Sequence, residues 1–450
     1  MEQRATRRLW NPVWTMKMAF TLLACAAPAL ALPLPQNSIT AGNTTTTVPI
    51  MKTAIYVANV TDPALTRDSC GSSRIGDRVL WTCRDTQGYD TQTGKPIALP
   101  IMTNSAAWTD LSASGGPLLA PGPVGAGSNG SNPILQMYGG NALTMPTYYP
   151  LQDTQCPDSG ACEDGTRYVV WPDQPPLISQ QGSDGSAVAY TWIPNQQLRG
   201  VNNGITINPL YHLYKETYTP SADANAPPKV EIISTSFYGE NAIGYGRYGS
   251  TIRDNMAYLY GQTADRETLL ARVSPDRIED RTAYQYYQAA TQTWTSSSPV
   301  FNTSTVSTAA PKFFNSTSYS TVAEARDLQS TYVIPNAGLG GQGTFYYSSY
   351  FSRFIWIGQS VGLDGGSATF YITASPSPEG PWAEPRQLFV GQDGDHEIVG
   401  GYSLQAHPAL LPSGPQVASE KGIYLSWTQQ WRESTVGSGY TTPLVYLEFE

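Results

Sequence analysis

Residues Asp77–Asp85 read DRVLWTCRD, a polar lead-in, an apolar-aromatic centre and a charged exit. The same design returns at Asp254–Gln262 (DNMAYLYGQ), Ser352–Ser360 (SRFIWIGQS) and Lys421–Gln429 (KGIYLSWTQ). Short runs rich in Val, Ile, Tyr and Trp, bounded by Gly, Pro, Asn or Asp, are strand signals. Further runs of this kind lie at 168–171, 187–192, 229–237 and 368–374. Helical spacing is scarce: only 264–273 (ADRETLLARV) and 279–290 (EDRTAYQYYQAA) could pass as helices, and the first fits a strand equally well. The strand repeats are unevenly spaced, so they mark no solenoid. Repeated short β-meanders across about 400 residues fit a β-propeller, whose ring of small sheets leaves little exposed edge. Two stacked β-sandwiches are the rival, but no linker divides the chain into halves. The fold expected is all-β, a single propeller with long surface loops.

Composition agrees. Only 14% of the 450 residues are charged, against a usual figure of about 25%. Tyr numbers 28, Trp 11, Gly 41 and Pro 35, a mixture that favours strands and turns over helices. The net charge is −9, and no Lys/Arg run is present. Nucleic acid and anionic membranes are therefore poor partners, and a neutral ligand suits the chain better.

The beginning of the chain reads as a secretory signal. Arg4, Arg7, Arg8 and Lys17 precede the apolar run MAFTLLACAAPALA, which ends in the cleavage pattern Ala29-Leu30-Ala31. That run is shorter than the ~20 residues needed to span a bilayer. Residues 1–31 are thus expected to be removed, 32–54 to form a flexible segment, and 55–450 to form the propeller. Beyond the signal, Cys70, Cys83, Cys156 and Cys162 make an even set, as an oxidising compartment favours. Three pairings are open; Cys70–Cys83 and Cys156–Cys162 are favoured, one tying a hairpin and the other closing CPDSGAC. With no CxxC spacing and three scattered histidines, no metal site is expected. Sequons at Asn43, Asn59, Asn129, Asn302 and Asn315 are read as glycosylated surface loops.

Two Arg-Asp dipeptides flank the opening strand, Arg67-Asp68 before it and Arg84-Asp85 after it. Glycoside hydrolysis needs two carboxylates, one to donate a proton and one to act as nucleophile or base. Neighbouring arginines and burial are what push two such groups apart in protonation. Exposed ion pairs at the ends of a hairpin are the bland alternative.

Arg67-Asp68, the Gly-Ser turn and GDRVLWTCRDT resemble the opening motif of a secreted β-propeller family that includes the endo-D-arabinanases, many of whose fungal members are a domain of unknown function. DNMAYLYGQ, SPSPEGPWAEPRQLF and YSLQAHPALLP extend the resemblance over most of the chain from Tyr56 onward. It implies five blades, and Asp68 and Asp85 match the family's two proposed catalytic aspartates. Where many members have Phe-Gly, this chain has Cys83-Arg84. The function expected is a secreted, extracellular and monomeric glycoside hydrolase, without a cofactor. Its substrate would be a neutral polysaccharide or oligosaccharide, arabinofuranose-containing chains among the candidates. Arg67, Arg84, Trp81, Glu240 and Tyr248 are the candidate substrate-binding residues. The alternative is a carbohydrate-binding or cell-wall-associated propeller without turnover. His407, ahead of a proline, reads as a packing residue, and the glycine-rich GYGRYGS as a loop that binds no phosphate.

Overall fold

The computed structural model describes residues 47–450 except 91–94, 98–100, 122–132, 141–146, 159, 200–202, 207–208, 221–222, 224, 241, 264, 300–330, 362–365, 397–399, 415–416 and 432–438. Five antiparallel blades follow one another around an axis. Blade 1 is Gly71–Ile75, Arg78–Cys83 and Ser105–Asp110, and blade 2 is Leu177–Gln181, Ala187–Arg199, Tyr211–Tyr218 and Lys229–Tyr238. Blade 3 is Gly249–Arg253, Met256–Gln262, Thr268–Val273 and Gln285–Gln288. Blade 4 is Gly340–Ser348, Arg353–Ser360, Thr369–Ser375 and Arg386–Val390. Blade 5 takes Gly401–Ala406, Gly422–Gln430 and Pro443–Phe449 from the end of the chain and its outer strand, Met51–Thr61, from the beginning. The ring is thus closed by hydrogen bonds between the two ends of the propeller.

Blades are buried on both faces, so apolar side chains collect at the seams between them. Ile355, Phe370, Leu404 and Trp427 fill the seam of blades 4 and 5. Tyr190, Trp192, Leu259 and Leu269 fill that of blades 2 and 3, and Tyr260, Phe345 and Trp356 that of blades 3 and 4. Trp81, Leu135, Leu410 and Leu444 join blade 5 to blade 1, while Leu80, Trp108, Ile178 and Ala189 join blade 1 to blade 2.

Both stretches that could pass as helices hold strands, Thr268–Val273, where a strand was the alternative, and Gln285–Gln288, after a single 3-10 turn at Arg281–Ala283. Met51–Thr61 lies in the sheet, so the expected flexible segment already contains propeller residues up to 54. Asn59 is no surface loop either. It is half-buried in that strand, paired to Pro443 on one side and Ile134 on the other. Asn43, Asn129, Asn302, Asn315 and the signal-like stretch lie outside the described residues. Cys70 is bonded to Cys83 and Cys156 to Cys162.

Candidate active site

Each blade's first strand starts at the same end of the axis, and polar residues just before or within these strands meet there. Asp68 stands ahead of Gly71 and Asp173 ahead of Leu177; Arg247 precedes Gly249. Gln342 and Gln405 lie within the first strands of blades 4 and 5.

Blade 1 explains the paired Arg-Asp dipeptides. Its hairpin continues past the disulfide as a second small sheet, Leu65–Arg67 against Thr86–Asp90. Between the two, Asp68 N–H donates to Asp85 C=O (2.9 Å) and Arg84 N–H to Asp68 C=O (2.8 Å). The two arginines of these dipeptides point to different places. Arg67 turns into the interior, where it pairs with buried Asp62 (2.7 Å) and donates to Ser105 Oγ (2.5 Å). Arg84 turns to the axis, bonding Asp173 Oδ1 and Gln342 Oε1 (3.3 Å).

The three axial aspartates have different surroundings. Asp85 is held by both arms of the Arg167 guanidinium, 2.6 and 3.1 Å, and by the Trp171 indole N–H at 2.9 Å. Asp173 accepts from Arg84 on one oxygen and from Arg247 Nε on the other (2.7 Å). Burial opposes its charge, but the two guanidiniums outweigh burial and hold its carboxyl below the ordinary value. Its backbone carbonyl also accepts from Gln342 Nε2 (2.8 Å) and Gln405 Nε2 (3.4 Å), so residues of all five blades touch this cluster or its arginines. Asp68 forms no direct ion pair among the described residues. Burial pushes its carboxyl up to about 6, against the pull of Arg84 and of hydrogen bonds from Ser69 and Tyr402, with nearby Asp85 adding to the rise. The residue as a whole is half-buried.

The other candidates part from their expected roles. Trp81 is fully buried, its indole N–H on Thr109 Oγ1 (2.9 Å) and its ring 4.8 Å from His407; it packs a seam and offers no face to a sugar. Tyr248 is buried against Phe345 and Trp356, with its hydroxyl accepting from Gly340 N–H (3.2 Å). Glu240 is exposed on the turn after Lys229–Tyr238. Arg67 is sequestered from the axial opening by its ion pair. Arg84 alone of the five proposed binding residues reaches the axial cluster.

Asp173, Arg167, Trp171, Arg247, Gln342, Gln405 and Tyr402 did not emerge from the sequence. One signal was available: the acid of WPDQPP precedes a blade's first strand as Asp68 does. Arg247 sits in the glycine-rich GYGRYGS. There Gly246 has φ +93°, and a Cβ on it would stand 2.4 Å from the Trp192 ring. The run is a close-packed turn that delivers an arginine. No group of three or more His, Cys, Asp or Glu side chains among the described residues is placed to hold a metal ion.

No protein-family model matches the chain, and no curated protein matches it. Solved structures do. A Bacteroides ovatus protein assigned as a hydrolase aligns with TM-score 0.50 and 14% identity, over 86% of this chain and 87% of that one. An exo-β-1,3-galactanase of Phanerochaete chrysosporium with bound β-1,3-galactotriose aligns with TM-score 0.39 and 11% identity, over 87% of this chain and 64% of that one. The catalytic domain of a Coprinopsis cinerea GH62 α-L-arabinofuranosidase aligns with TM-score 0.34 and 9% identity, over 87% and 97%. What the chain shares with the Bacteroides protein, at such identity, is its fold: a five-bladed β-propeller.

Proposed function

We propose that this protein is a glycoside hydrolase acting on a neutral polysaccharide, arabinofuranose-containing chains among the candidates. One observation carries the reading. At the axial opening, one carboxyl is kept protonated up to about pH 6 while two others are clamped by arginines within the same cluster. A carboxyl that burial keeps protonated is suited to the role of acid. In this reading Asp68 gives its proton to the leaving glycosidic oxygen, and Asp85 completes the pair as nucleophile or base. Asp173 anchors Arg84 and Arg247, whose guanidiniums orient sugar hydroxyls. The signal-like leader and two disulfides are in keeping with work outside the cell.

A second reading, a propeller that binds glycan without cleaving it, is favoured by the saturation of Asp85, which already accepts three hydrogen bonds. One experiment separates the two. The protein is screened against arabinans, galactans and fungal wall glycans for release of reducing ends and for binding, beside Asp68→Asn. Hydrolysis predicts a turnover loss of about 10²–10⁴-fold in Asp68→Asn, with melting temperature and glycan binding kept. A glycan bound but never cleaved by the parent protein establishes the binding reading instead.

A further inference from the structure

The first strand of blade 5 breaks register with its neighbour. Tyr402 lies opposite Thr428 and Gln405 opposite Ser426, so three steps on one strand face two on the other, a β-bulge. Ser403, in the bulge, has φ +54°. A left-handed conformation is costly for a residue with a Cβ and persists where the surroundings hold it. Ser69, beside Asp68 in blade 1, is the same case at φ +52°. These two strained serines meet across the seam of the first and last blades, Oγ to Oγ at 2.6 Å. Ser69 Oγ–H donates to Asp68 Oδ1 (2.5 Å), and Ser69 N–H donates to Thr428 Oγ1 (3.0 Å). Since Ser69 has one hydroxyl proton and spends it on Asp68, Ser403 is the donor in the serine pair. Tyr402, on the other side of the bulge, brings a second hydroxyl to the Asp68 carboxyl.

We infer that the bulge is a positioning device: Ser403 and Tyr402 of the last blade, with Ser69, hold the Asp68 carboxyl in one hydrogen-bonded unit and govern when it releases its proton. The inference deepens the reading of Asp68 as proton donor, yet the unit needs no glycan to be tested. Arg84 and Asp85 from the blade 1 hairpin and Tyr440 from the hairpin before the last strand also face Asp68, and the variants leave all three in place.

The test is a pH titration of Asp68 in the folded protein by carbon NMR of labelled aspartate, with Asp68→Asn identifying the signal. Tyr402→Phe removes one donor to the carboxyl, and Ser403→Gly removes the hydroxyl that donates to Ser69, the carboxyl's other donor, while still adopting positive φ. Donors to a carboxylate favour its charged form, so Tyr402→Phe is expected to raise the Asp68 midpoint by about one pH unit, and Ser403→Gly, which takes away the bond that supports Ser69 as a donor, to raise it by less. A midpoint unmoved in either folded variant overturns the inference; should Tyr402→Phe fail to fold, Ser403→Gly decides alone. If a glycan is cleaved, the alkaline limb of the rate profile, where the donor loses its proton, moves with the midpoint. If none is cleaved, the titration still answers, and only the hydrolase reading falls.

Discussion

Glu216 shows how one side chain can set a pH response. It is fully buried on Tyr211–Tyr218, accepting from Thr191 Oγ1 at 2.7 Å. Burial, only partly offset by bonds from Thr191 and Tyr149, pushes its carboxyl up to about 7. The folded protein therefore keeps a proton that the unfolded chain loses near pH 4.5. This contribution to stability is whole below that value and is lost as pH rises through 7. His212 and His407 have the opposite sign. Burial lowers them to about 4 and about 3, so their contribution is whole above about 6.5 and is lost as pH falls through those values. Glu216→Gln keeps the side chain's shape and removes its titration. Between pH 4.5 and 7.5 the parent should lose about 3 kcal/mol of stability relative to this variant. Urea melts of both across that range read the difference, and parallel profiles would refute it.

At the level of strands and turns, His407 is the clearest joint. Its Nδ1 bonds Ser72 Oγ of blade 1 (2.7 Å) and its Nε2 bonds Ser426 Oγ of blade 5 (2.6 Å), all three residues buried. His407→Phe fills the space but strands two buried hydroxyls, each costing about 1–3 kcal/mol. The expected result is a clearly lowered melting temperature; an unchanged melt would show that water or rotation satisfies both serines. The packing reading of His407 was legible in the sequence because a histidine before a proline with no metal spacing has few other uses. Strand content was legible for a similar local reason, since aromatic and β-branched runs between glycines and prolines mark strands without further context. Thr268–Val273 stayed open between helix and strand because a strand buried on both faces loses its alternation, and Thr-Leu-Leu-Ala-Arg-Val fits either period. The Arg-Asp dipeptides drew attention to Asp68, Arg84 and Asp85 because both flank one hairpin. Asp173, Arg247, Gln342 and Gln405 come from four separate blades, and only closure of the ring brings them together, which no local pattern encodes.

For the whole molecule, closure is the governing feature. Met51 pairs with Phe449, and the register runs on to Asn59 with Pro443. Hydrogen bonds, and no covalent link, hold the ring shut there, so chain connectivity at this point is dispensable in principle. A circular permutant that joins Glu450 to Thr47 through a short glycine-serine linker, opened between blades 3 and 4, is expected to fold and melt cooperatively near the parent temperature. A permutant that remains unfolded would show that the order in which blades form, and not closure alone, decides the fold. The direction of the strands adds a consequence. Blade 5's first strand leaves the axial opening at Tyr402, its second returns and its third leaves again, ending at Phe449. Met51 and Phe449 therefore sit on the face turned away from Asp68. A tether fused after Glu450, to a bead, a sensor chip or another domain, would leave the carboxylates facing outward, with the mouth of the propeller open to a polymer too large to diffuse.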